Sequence, residues 1–177
     1  LFPEVLARSF ARRPGHPELR VLDTTDPAAV ARLTHECPPE SSVFVASSKS
    51  GTTIETLGHL AVVPDHTGDP RRVVVVTDPD SALARRAERD GFRASFENDP
   101  NIGGRYSALS YFGLVPAAAA GVDLDQLLGS AEAASRSLRS ADPATNRGLA
   151  LAAVMAAGVE EGRDKLTLVV DGEIDTF

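Results

Sequence analysis

Apolar residues along this chain recur at two alternating periods, and the alternation sets out a fold before any chemistry is considered. Val5, Leu6 and Phe10 stand at helical spacing within Glu4 to Arg12, and Pro14-Gly15-His16-Pro17 ends that helix. Leu19 to Asp23 reads as a short strand. Asp26-Pro27 supplies an N-cap and a first-turn proline for a helix through Val30, Leu33 and Cys37. Val43-Phe44-Val45-Ala46 is the next strand, and Ile54, Leu57 and Leu60 then fall on one side of a 3.6-residue period. Pro64 to Pro70 reads as a surface turn, and Val73-Val74-Val75-Val76-Thr77 as a strand buried on both faces.

The rhythm continues through a helix over Ala82 to Asp90, capped by Asp78-Pro79-Asp80-Ser81 and stopped by Gly91, and a strand over Phe92 to Phe96. Strands alternating with helices predict right-handed crossovers and a parallel sheet covered by helices on both faces. Past Ser107 the composition turns to alanine and leucine. Helices are expected over Leu109 to Ala120, kinked or interrupted by Pro116, then Leu124 to Leu138 and Asn146 to Glu161. Lys165 to Asp171 reads as a buried strand. The chain shows no internal repeat and no low-complexity linker.

Composition narrows the class. The 177 residues are 42% apolar, enough for one substantial core, and the formal net charge of -7 leaves no basic footprint for nucleic acid. No apolar run approaches the roughly 20 residues that span a bilayer, so no membrane partner is expected and the expected location is cytoplasmic. The single cysteine, Cys37, excludes an internal disulfide and reads as a buried structural thiol. A start at Leu1 and a strand near the end predict a fragment of a longer chain.

Candidate chemistry gathers between the Val43–Ala46 strand and the following helix, in Ser47-Ser48-Lys49-Ser50-Gly51-Thr52-Thr53. In parallel sheets ligands sit at the carboxyl ends of the strands. There the first helical turn has N–H groups without partners and the helix dipole adds positive potential. Hydroxyls that donate, and a glycine that admits close backbone approach, suit a phosphate. The same residues also serve as ordinary caps and turns. Lys49 and Lys165 are the only lysines, which singles Lys49 out. The loop is not a Walker A sequence and no Gly-x-Gly-x-x-Gly occurs, which disfavours nucleotides. A second constellation, Asn101-Ile102-Gly103-Gly104-Arg105-Tyr106-Ser107, presents one guanidinium from a two-glycine turn, suited to a phosphate or a developing oxyanion, though by itself the motif reads more readily as a surface arginine after a turn.

Together, Ser48 to Thr56, Thr77 to Ser81, Gly103 to Ser110 and Gly113 to Ala118 resemble the glucose-6-phosphate isomerase family in order and spacing. The likeness is to its bacterial members, including those fused to a transaldolase. The resemblance implies a sugar-isomerase (SIS) domain: an α/β fold of flavodoxin-like type, with a parallel five-stranded sheet sandwiched between helices in three layers. It implies that Ser48, Lys49, Ser50, Gly51, Thr52 and Thr53 hold a sugar phosphate, and that Gly104 and Arg105 face its C1 and C2 oxygens. It implies interconversion of glucose 6-phosphate and fructose 6-phosphate through an enediolate, with no cofactor and no metal, in a parent protein that is a homodimer. Residues 1–120 then form an SIS domain lacking its first strand and glycine-rich loop. Residues 121–177 are expected to lead into the first strand of a second SIS domain.

The family's glycine-rich loop would end just before Leu1, and its catalytic glutamate, histidine and C-terminal lysine would lie beyond Phe177. Glu173, His16, His35, His59 and His66 match none of these, and Glu55 reads as facing solvent or orienting other groups. The alternative is a non-catalytic SIS module that senses sugar phosphate as part of a regulator. Mannose 6-phosphate is a further possible substrate.

Overall fold

Four consecutive valines followed by a threonine can be buried completely only where neighbours cover both edges and both faces, and the computed structural model gives them those neighbours. It describes residues 2–10 and 13–170. Strand β1 (Phe44–Ser47), β2 (Val73–Thr77) and β3 (Ala94–Glu97) form a parallel sheet in the order β1-β2-β3, with Val45 opposite Val74 and Val76 opposite Phe96. All five residues of β2 are buried.

Val73 and Val75 face a cluster made by Leu60 and Val63 of α3 (Ile54–Thr67) and Leu83 and Ala87 of α4 (Ala82–Asp90), with Phe44, Ala46 and Phe92 packed against it. Side chains alternate along a strand, so Val74 and Val76 point to the other face, where α5 (Tyr111–Ala119) packs on β2 and α1 (Phe2–Ser9) packs on α5. Tyr111 of α5 meets Phe96 of β3, ring centroids 5.7 Å apart. The result is an α/β sandwich with the SIS-type arrangement. Burying a side chain such as Leu83 contributes about 1.5–3 kcal/mol, and most such residues lie on α3, α4 and β2.

Helix α2 (Pro27–Glu36) starts as expected, with the Asp26 carboxylate accepting from Ala29 N–H. Cys37 closes it and is half-buried rather than buried, its carbonyl accepting from His66. Helix α4 is capped by Ser81, whose Oγ accepts from Ala84 N–H, and ends at Gly91 in the left-handed conformation (φ 70°). Helices α6 (Leu124–Leu138) and α7 (Arg147–Glu160) follow their predicted spans, the latter capped by Asn146.

Several expectations are corrected. Leu19 to Asp23 is not a strand; it lies against α2, with Arg20 paired to Glu36, and does not join the free edge of β1. Helix α3 runs past position 64 to Thr67, so the surface turn is shorter. Its last turn is held by His66, which packs edge-on against Phe44 and donates to Cys37. Ile54 is 77% exposed and Leu57 is also exposed, because the first turn of α3 stands at the sheet's carboxyl edge and only Leu60 and Val63 reach the core. The Leu109–Ala120 helix is instead a 3₁₀ segment, Gly104–Leu109, followed by α5 with Ser110 as N-cap. Pro116 does not interrupt α5; it sits inside it, and the burial of its ring in the sandwich offsets part of the lost hydrogen bond.

Three strands are described where the sequence predicted four within residues 1–120, the Leu19–Asp23 strand being the one not formed. Residues 163–170 carry no strand, and Leu166, Leu168 and Val169 are exposed, because no strand among the described residues lies beside them to complete a ladder. The ends of the first helix and last strand as expected from sequence, Arg12 and Asp171, and also Glu173, lie outside the described residues.

Candidate functional site

The Ser48–Thr53 loop is built as an extension of the sheet. Ser48 N–H donates to Val76 O (3.0 Å), carrying the parallel pairing one residue past β1 and burying the serine. Its Oγ accepts from Gly51 N–H (3.1 Å) and lies 2.8 Å from Thr53 Oγ1, so the hydroxyl closes the loop on itself. Gly51 takes φ 70° beneath α4, where a Cβ would lie 2.4 Å from Leu83 N. Only glycine fits both conditions. Ser50 Oγ and Thr52 Oγ1 pair at 2.8 Å on the exposed rim. Thr53 O accepts from Leu57 N–H, opening α3.

This geometry leaves donors facing outward. Among the described residues no acceptor takes the N–H of Ser50 or Thr53. The first N–H groups of α3 likewise have no acceptor within the helix. The exposed Glu55 sits in that first turn, where its charge favours the helix dipole.

The Lys49 ammonium is held by acceptors of the protein itself. Its ammonium lies 2.8 and 3.0 Å from the two carboxylate oxygens of Asp78 and donates to the carbonyls of Ile102 (2.9 Å) and Pro100 (3.3 Å). Its own carbonyl accepts from Asp78 N–H and Thr77 Oγ1. The loops after all three strands are thus joined through one side chain. Asp78 balances the Lys49 charge, so attraction for an anion rests on backbone N–H groups and the α3 dipole rather than on a net cation.

Two further residues, of which only Thr77 was singled out from sequence, complete this end of the sheet. Thr77, fully buried, pairs its hydroxyl with that of Ser81 (2.7 Å), linking the β2 loop to the α4 cap. Asn98, also buried, donates its N–H to Thr77 O (2.7 Å) and accepts at Oδ1 from Tyr111 N–H, fixing the start of α5. A strand-end Asn one residue past an alternating β-run was the available signal. Asp78 stood in the segment expected to cap α4; within that segment Ser81 supplies the cap and Asp78 takes the lysine.

Arg105 lies on the 3₁₀ segment that Gly104 opens, is exposed, and its side chain makes no hydrogen bond or ion pair with any described residue. Gly104 O accepts from Ser107 Oγ, which tightens that turn. His59 and His66 are held on the carbonyls of Thr24 and Cys37 and serve packing. Clefts of about 390 and 270 Å³ occur away from this loop, around Arg20–Thr24 with α2 and around Glu4, Arg8 and Leu19. Neither includes a residue of Ser48–Thr53. Among the described residues no group of three or more His, Cys, Asp or Glu side chains could hold a metal, and no helix is long and apolar enough to cross a membrane.

Fold and loop together define an α/β protein with a hydroxyl-rich loop at the carboxyl edge of a parallel sheet, in which the Ser50 and Thr53 N–H groups have no acceptor among the described residues. The family profile described as phosphoglucose isomerase matches residues 1–163, and the chain belongs to that family. It is 45% identical over 114 residues to a glucose-6-phosphate isomerase of Thermus thermophilus, covering 60% of this chain and 27% of the relative. It is 32% identical over 177 residues to that of a Cyanothece strain, covering 96% of this chain and 33% of the relative. A crystal structure of a hypothetical protein from Thermus thermophilus superposes with a TM-score of 0.79 at 36% identity, over 88% of this chain and 38% of that one. A glucose-6-phosphate isomerase from Chlamydia trachomatis gives 0.56 at 26% identity, over 67% and 24%. The chain thus spans about a third or less of its curated relatives' length.

Proposed function

We propose that this chain supplies the phosphate-holding and oxyanion-facing part of a glucose-6-phosphate isomerase. The observation that carries the proposal is the Ser48–Thr53 loop, whose Ser50 and Thr53 N–H groups stand without acceptors at the start of α3, in a chain of the phosphoglucose isomerase family. Phosphate would take these donors together with the exposed Ser50 and Thr52 hydroxyls, each charge-assisted bond contributing about 1.5–3 kcal/mol before entropy is subtracted. The phosphate is remote from the reacting carbons, so its binding energy positions the sugar.

In the reaction the ring opens, a base removes the C2 proton, and the proton returns at C1 through an enediolate. That intermediate carries negative charge absent from the open-chain sugar, so a fixed cation stabilises the transition state more than the ground state. Arg105, charged and unpaired, takes this role, with Gly104 giving the backbone room. The base comes from polypeptide outside this chain, so the chain alone has no turnover. Residues 1–120 act as one SIS domain, residues 121–177 lead towards a second, and the parent is a cytoplasmic homodimer.

In the full-length enzyme, Arg105→Ala is expected to raise the barrier by on the order of 3 kcal/mol with a smaller effect on binding. An unchanged turnover number removes Arg105 from the mechanism. Titration with fructose 6-phosphate and with 5-phosphoarabinonate, an enediolate mimic, tests the reading as a whole. Tighter binding of the mimic, lost in Arg105→Ala, supports the isomerase; equal binding insensitive to Arg105 supports a sugar-phosphate-sensing module.

A further inference from the structure

The segment carrying Arg105 is tethered to the rest of the protein in an unusual way. Residues 99–107 form a chain of turns that bond to themselves: Asp99 Oδ1 accepts from Asn101 N–H and Nδ2, Ile102 N–H donates to Asp99 O, and Tyr106 N–H to Gly103 O. Among the described residues, every hydrogen bond made by 99–107 stays within 98–110 except two. Those two are the Pro100 and Ile102 carbonyls, and both accept from the Lys49 ammonium.

We infer that Asp78 is a positioning residue: with Lys49 it forms a latch that fixes the Arg105 segment against the phosphate loop. Its consequence for turnover rests on the isomerase reading above; the latch rests on the geometry alone. Lysine is a flexible stem ending in a point charge, so two carbonyls hold it weakly. The carboxylate decides where it stays. Side-chain exposures of 31% for Lys49 and 18% for Asp78 make this a partly desolvated pair, less screened than an exposed one. The latch joins positions 49, 78, 100 and 102, so the loops after β1, β2 and β3 move as one body, and phosphate binding and placement of the guanidinium become a single event.

This assignment opposes the simpler one, in which the Lys49 ammonium binds substrate directly. If it did, neutralising Asp78 would release the ammonium towards the anion and lower KM. The latch requires the reverse: a loosened Arg105 segment, with kcat falling and KM little moved.

The test compares wild type, Asp78→Asn and Asp78→Glu in the full-length isomerase, by amide hydrogen exchange and steady-state kinetics. Exchange over 99–107 is expected to quicken by on the order of tenfold in Asp78→Asn, with 84–97 unchanged and Asp78→Glu intermediate. A fall in kcat of on the order of tenfold, with KM within about twofold, is expected alongside. Unchanged exchange at 99–107, or a lowered KM with kcat retained, overturns the latch. If the wild type shows no isomerase activity, the functional reading fails, and the exchange difference still decides the latch. Should Asp78→Asn lose protection across the sheet, Lys49→Met serves instead. Methionine keeps an unbranched stem but removes the ammonium from Asp78 and from both carbonyls, so it too must quicken exchange at 99–107, and unchanged exchange there overturns the proposal.

Discussion

Strand β2 and helix α7 are both strongly apolar, and they meet opposite fates. Every residue of Val73–Thr77 is buried, whereas α7 has no buried residue, with Val154 70% and Val159 68% exposed. The difference lies in neighbours rather than in composition. β2 is paired on both edges and covered on both faces by α3, α4 and α5, while α7 packs against α6, itself without a buried residue. Apolar content therefore reports burial only when the surrounding elements are present, and stability should concentrate around the sheet. The largest expected effect follows. Leu83→Ala removes a 1% exposed side chain from the main cluster and should cost about 3 kcal/mol, while Val154→Ala should fall within about 0.5 kcal/mol of wild type. Chemical denaturation of both variants checks this, and equal losses would erase the contrast.

The same contrast governs what was legible in the sequence. The β2 strand, the α4 caps and the spans of α6 and α7 were readable because local pattern and tertiary context agree there. Leu19–Asp23 and Lys165–Asp171 also have strand-like sequences, but a strand needs a partner, and no partner is encoded in the run itself. The start of α5 and the effect of Pro116 were misjudged for a related reason: where a helix begins and whether a proline breaks it are decided by Asn98, which accepts from Tyr111 N–H, and by the burial of α5 against the sheet. At the site, residue types singled out the loop and Arg105 as candidates. They could not show that the Lys49 charge is taken by Asp78, 29 residues away, since that pairing exists only once the strand ends converge.

A smaller effect is expected where the two kinds of region meet, at Gly51. Its left-handed φ and the 2.4 Å approach to Leu83 N mean that Gly51→Ala must shift the loop away from α4. The strain should lower stability by about 2 kcal/mol, and the displaced Ser48 and Thr53 groups should weaken phosphate binding in the same variant. Phosphate titration followed at the Thr52 and Thr53 amides measures the second effect. Retained affinity in a destabilised Gly51→Ala would separate the loop's fold from its ligand role.

The smallest effect belongs to the exposed helices and appears only in acid. Asp123 caps α6 by accepting from Gln126 N–H at 3.0 Å, with Arg13 beside it at 3.3 Å, and these two partners in that order hold its carboxyl below the ordinary carboxylate range. A carboxyl lowered in the folded state contributes stability that is present above its unfolded value and is lost as pH falls through the lower, folded one. The α6 cap should therefore persist as pH drops past the usual carboxylate value and release below it, while the sheet, whose burial involves no titrating group of β2, keeps its protection. In Asp123→Asn the side-chain oxygen still accepts from Gln126 but cannot be protonated in this range. The Gln126 amide resonance should accordingly titrate in wild type and stay flat in Asp123→Asn. Identical acid shifts in both proteins would place the controlling proton elsewhere.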